Sequence, residues 1–69
     1  MNEDEPKWIE LRDENISRYI RFSDALIISK GYSGRIEVQT TLRAEPMTAK
    51  EIFACDFFGR RITDFEFNR

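Results

Sequence analysis

Few side chains in this sequence can do covalent chemistry. There is no histidine and a single cysteine, Cys55. Without an imidazole there is no Ser-His-Asp or Cys-His nucleophile, no His-ligated metal and no side chain that ordinarily titrates near neutrality. Cys55 lies between Ala54 and Asp56. A reactive thiol needs an electropositive niche, which these neighbours do not supply, so Cys55 reads as a small buried hydrophobe. One cysteine builds neither an intrachain disulfide nor a multi-cysteine zinc site. The carboxylates show no metal or acid-base spacing; Asp64 and Glu66 fall on one face of a strand as solvent decoration. Gly31, Gly34 and Gly59 match neither a phosphate loop nor a dinucleotide turn. The expectation is a non-enzyme with no cofactor and no metal.

Binding chemistry is better supplied. The chain has 6 Phe, 2 Tyr and 1 Trp. Aromatic and arginine side chains dominate interface energetics. Trp8, Tyr19, Tyr32, Phe53 and Phe57 are the expected anchors on a protein partner, with Arg21, Arg60 and Arg61 as a polar rim. The basic set Arg18, Arg21, Lys30, Arg35, Arg43, Arg60 and Arg61 raises an alternative, in which Tyr19 and arginines on an open sheet face bind single-stranded nucleic acid by charge and stacking. A pI near 5.1 weighs against that basic footprint. Lys30-Gly31-Tyr32 opens like an RNA-recognition signature, but Ser33-Gly34-Arg35 breaks it, and the segment reads as a hairpin loop with Tyr32 at its tip.

The elements that must position these residues are short. With 69 residues there is room for one domain. Met1 to Pro6 reads as a disordered acidic lead-in, and residues 7–69 as one compact unit. Lys7 to Arg12 reads as a strand with Ile9 and Leu11 on one side and Trp8 and Glu10 on the other. Asp13-Glu14-Asn15 is a turn. Ile16 to Phe22 alternates with a period of two and reads as a strand, with a helix as the competitor. Ala25 to Ser29 reads as a central strand. Arg35 to Arg43 alternates cleanly, with Ile36, Val38, Thr40 and Leu42 on one face. Thr48-Ala49-Lys50-Glu51 has the form of a capping box, so a helix is expected from there to about Phe58, stopped by Gly59. On it Ala49, Ile52 and Cys55 share a side and Phe53 and Phe57 another. Ile62 to Phe67 closes the chain as a strand with Thr63, Phe65 and Phe67 on one face. The expected fold is therefore α+β: an antiparallel-dominated sheet of four to five strands with one helix packed on one face, in the order β-β-β-β-α-β.

Charge and hydropathy narrow the setting. The net charge is −2, with 35% charged and 41% hydrophobic residues, a globular balance. Residues 1–15 carry −4 and residues 16–69 carry +2, which reads as an acidic solvated N-terminus on a near-neutral body. The longest apolar run, Ala25 to Ile28, is too short for a membrane span or a signal-peptide core, so the chain is expected to be cytoplasmic with no membrane partner. In layout and size Val38 to Phe67 resembles small phage-encoded inhibitors and regulators that grip a larger host enzyme, which implies steric inhibition of a partner. The expected function is that of a small accessory protein, a regulator, adaptor or inhibitor that occupies a larger protein or pairs with a second copy of itself.

Overall fold

The computed structural model describes residues 5–67. Six strands carry the fold: β1 (Trp8–Asp13), β2 (Ile16–Arg21), β3 (Ala25–Lys30), β4 (Ile36–Thr40), β5 (Met47–Ala49) and β6 (Glu51–Cys55). A single 3-10 turn, Phe22–Asp24, links β2 to β3. The strands form two three-stranded antiparallel sheets, ordered β2-β1-β6 and β3-β4-β5. Each sheet turns one face to the other, as sheets with one apolar face must. The first contributes Ile9, Leu11 and Ile20 to the core, and the second Val38 and Ala49. Phe22, Ala25, Ile28, Ile36, Met47, Ile52 and Phe67 pack around them. Among the described residues no helix is long and apolar enough to cross a membrane.

The expected α+β fold is overturned: among the described residues there is no α-helix, and the Thr48–Phe58 segment is β5, a corner at Lys50 and β6. The physical reason lies in that corner. Along β6, Ile52 and Ala54 turn inward and Phe53 and Cys55 outward. Along β5, Ala49 turns inward. The intervening bend at Lys50 moves the inward positions from odd to even residues. Ala49 and Ile52 therefore stand three apart, which imitates the spacing of a helical face. Strands that switch sheets through such bends form the corners of two-sheet folds. Thr48 does not cap a helix; its Oγ1 accepts from Arg35 Nε and Nη2, both at 3.3 Å. Helix propensity is a weak prior, and here the free edge of β1 overrides it by pairing with the whole of β6.

Three further expectations change. β3 is an edge strand rather than a central one. A register shift between Ala25 and Ile27 leaves Leu26 without a cross-strand partner, and Leu26 and Ile27 are both exposed. β4 ends at Thr40, so Leu42 is exposed instead of facing inward. The closing segment makes only an isolated bridge, Cys55 with Arg61, and Ile62 to Phe67 is irregular. It is still anchored: the Phe22 and Phe65 rings meet edge to face at 5.7 Å, and Phe65 meets Phe67 at 5.3 Å. The alternation in β1 and β2 stands as read. In the expected lead-in, residues 1–4 lie outside the described residues, Glu5 is exposed and Pro6 is buried.

Turn chemistry agrees with the sheet. Asp13 pairs with Ile16, so Glu14 and Asn15 form a two-residue hairpin, with Glu14 in the left-handed region at φ 45°. Gly34 takes φ 86° in the β3–β4 loop, where a side chain would be strained.

The core and the open surface separate by mutation. Leu11→Ala, at a fully buried site, should cost about 3 kcal/mol, whereas Leu42→Ser should stay within about 0.5 kcal/mol of the parent. Urea unfolding followed by Trp8 fluorescence measures both.

Candidate binding face

The outer face of the β2-β1-β6 sheet collects most of the side chains that the sequence singles out. Residues directly opposite on neighbouring strands share a face. Three rows follow from the register: Arg21–Trp8–Cys55, Tyr19–Glu10–Phe53 and Ser17–Arg12–Glu51. After β6 the chain turns back over one end of this face. Asp56 holds the turn, its Oδ1 accepting the Phe58 and Arg60 amides, each at 2.9 Å. Its backbone accepts from Gly59 at 2.9 Å and donates to Arg60 at 2.8 Å. Gly59 takes φ 84°, which closes the turn and accounts for the glycine that the sequence offers as a helix stop.

This turn pushes Phe57 and Phe58 into solvent, 69% and 73% exposed. Their rings meet edge to face at 5.3 Å, and the Arg60 guanidinium lies 5.0 Å from the Phe58 centroid. Trp8 Nε1 donates to the Phe57 carbonyl at 3.3 Å. Trp8, Tyr19, Phe57, Phe58 and Gly59 line a shallow open hollow. Phe58 was not among the expected anchors; the turn places it beside Phe57 on this face.

Beside the hollow, Arg61 returns across the sheet. Its guanidinium stacks on Phe53, 3.8 Å from the ring centroid. It also donates to both oxygens of Glu10, Nε to Oε1 at 3.0 Å and Nη2 to Oε2 at 3.2 Å. Ser17 Oγ donates to Glu10 Oε2 at 2.6 Å, and Arg12 Nη1 donates to Ser17 Oγ at 3.3 Å. Glu10 is only 4% exposed although it sits on the outer face. The bonds from Arg61 hold its carboxyl below its ordinary value, burial opposes this, and the Ser17 hydroxyl adds to the lowering. Arg61 is raised in turn by the same bonds. Burial, helped by the Glu10 charge, pushes the Cys55 thiol up, away from the thiolate a nucleophile needs.

Of the expected anchors, Trp8, Tyr19, Phe53 and Phe57 come together here with Arg21, Arg60 and Arg61. Tyr32 does not join them: it stands fully exposed on the β3–β4 loop of the other sheet. Arg12 and the Glu10–Ser17 pair belong to the face and were not singled out, though the alternation of β1 and β2 already put them on it. Among the described residues no group of three or more His, Cys, Asp or Glu side chains is placed to hold a metal ion. Compared with family models, curated proteins and solved structures, the chain matches no family model and has no significant match to a curated protein or a solved structure.

The lowered Glu10 pKa fixes a sign. Its stabilisation is complete above the unfolded carboxylate value and is lost as pH falls through the lower folded value. Glu10→Gln should therefore cost about 1–2 kcal/mol at neutral pH and flatten the acid limb of the stability profile, read by urea unfolding at a series of pH values.

Proposed function

We propose that the protein is a non-enzymatic binding module that docks a larger protein through the outer face of the β2-β1-β6 sheet and acts by occupying that partner, as a regulator, adaptor or inhibitor. The exposure of Phe57 and Phe58 on a turn pinned by Asp56 carries this reading. Two large apolar rings held in water beside Tyr19, itself 51% exposed, give surface that a partner gains by covering. The hydrogen bonds to Asp56 hold the rings in place before contact, which cuts the ordering cost of binding. Arg21, Arg60 and Arg61 rim the hollow in the manner of a polar border around an apolar centre. A buried, unpaired thiol suits a cytoplasmic setting.

One observation favours a second reading. Tyr19, Arg12 and Arg21 share a sheet face with Trp8, and Arg60 and Arg61 lie beside it over Phe58 and Phe53, the arrangement a single-stranded nucleic acid uses. Against it, Glu10, Glu51 and Asp56 stand among them, and Arg60 and Arg61 are engaged by Asp56 at 3.5 Å and Glu10 at 3.0 Å.

Affinity capture from native lysate followed by titration of the captured protein tests the first reading. Phe57→Ala/Phe58→Ala should keep the circular dichroism of the parent and weaken binding by about 30-fold, with little response to salt. Unchanged affinity in that variant removes the aromatic turn from the interface. Binding to an oligothymidylate that weakens steeply with salt and is lost in Tyr19→Ala supports the second reading instead.

A further inference from the structure

We propose that the free edge of β3 pairs antiparallel with β3 of a second copy of this chain, joining two β3-β4-β5 sheets into one continuous sheet across a two-fold axis.

The four sheet edges differ in how they meet solvent. An unpaired strand presents open backbone donors and acceptors, and soluble proteins blunt such edges with charge, shortness, proline or a cover. The edge of β5 is three residues long and follows Pro46. The edge of β6 is covered where Cys55 bridges Arg61. The edge of β2 carries Arg18 and Arg21. β3 carries a register shift between Ala25 and Ile27 that blunts that end, but from Ile27 to Lys30 it has none of these devices, and only Lys30 at its end is charged. No described strand pairs with its outer side. The Gly31 amide donates inward to the Arg35 carbonyl at 2.8 Å. Ladder alternation then turns the Ser29 amide inward as well and the Ile28 and Lys30 amides outward.

The strand is also self-complementary. Leu26 and Ile27 are 60% and 63% exposed, so copies meeting at this edge cover apolar side chains. Antiparallel pairing about the middle of β3 brings the Lys30 end of each strand to the Asp24 end of the other, giving opposite charges at both ends by symmetry. An extended segment of another protein would meet the same backbone but has no such built-in charge match. The surface lies in the other sheet from the aromatic face, so the dimer leaves that face open.

Sedimentation equilibrium of the full chain over a concentration series tests the proposal. A monomer–dimer equilibrium is expected, in which the Ile28 and Lys30 amides gain protection from hydrogen exchange as concentration rises. Ile27→Lys, at an exposed position, should retain the circular dichroism of the parent and weaken the dimer about tenfold or more. Lys30→Glu should weaken it about tenfold, and Asp24→Lys/Lys30→Glu should recover most of the loss. A chain that stays monomeric to millimolar concentration overturns the proposal. So does a dimer that survives both Ile27→Lys and Lys30→Glu, or one that Phe57→Ala/Phe58→Ala abolishes, since that dimer uses the aromatic face. The first two of these results do not bear on whether the aromatic face binds another protein, whereas the third makes that face the self-interface.

Discussion

The two sheets are tied together at one carboxylate. Asp13, the last residue of β1, accepts the Lys50 amide on Oδ1 at 2.9 Å and Arg35 Nη2 on Oδ2 at 3.0 Å, with Arg18 at 3.8 Å. Lys50 is the corner where the chain leaves one sheet for the other, so its amide belongs to neither ladder. Lys50 is exposed, and Asp13 gives its amide a partner within the protein in place of water, which fixes the corner against the end of β1. Arg18 closes the same junction from β2 by donating to the Thr48 carbonyl. The bond from Arg35 is the main reason the Asp13 carboxyl lies below its ordinary value, ahead of the opposing effect of burial. The junction is thus an ionic one that weakens as pH falls through that lowered value.

Once the corner is set, the remaining surfaces have little choice. β5 and β6 are consecutive pieces of one segment that must complete two different sheets. The inward faces then meet, and the aromatic and charged residues of β1, β2 and β6 are left outside. Glu10 shows what this arrangement requires. A carboxylate in the middle of the central strand is covered by its neighbours, and the only way to keep it charged is to bond it fully. Arg61 does so from a segment that barely joins the sheet, and Phe53 supports the guanidinium from below. The outer face of this sheet is therefore organised by a contact across the sheet and not by any one strand.

Several parts of this were legible in the residues. The two-residue alternation of Trp8 to Arg12 and Ile16 to Arg21 sorted each strand into an inner and an outer row, and the observed register keeps that sorting. Asp13-Glu14-Asn15 read as a turn because polar residues interrupt two apolar patterns. The second half was harder. Thr48-Ala49-Lys50-Glu51 satisfies the local rules for a helix start, and a corner that shifts the strand phase by one residue produces helical spacing without a helix. Leu42 fits the alternation of β4, yet the strand stops at Thr40, where the chain leaves for β5. Ala25 to Ile28 looks central because it is apolar, while its place at an edge depends on which strands it finds.

By itself, the sequence determined which chemistry is absent and which faces the early strands have, because side-chain type and a period of two are local properties. It also pointed to aromatic and arginine side chains as the candidate contact chemistry, and most of them share one sheet face in the structure. The tertiary structure decided that Thr48 to Cys55 is extended and that Asp13 holds its corner. It decided too that Arg61 meets Glu10 across 51 residues of chain and that Tyr32 stands apart from the other aromatics. These outcomes depend on which backbone edges and charges find each other in space, and pairings between distant residues leave no mark on local pattern.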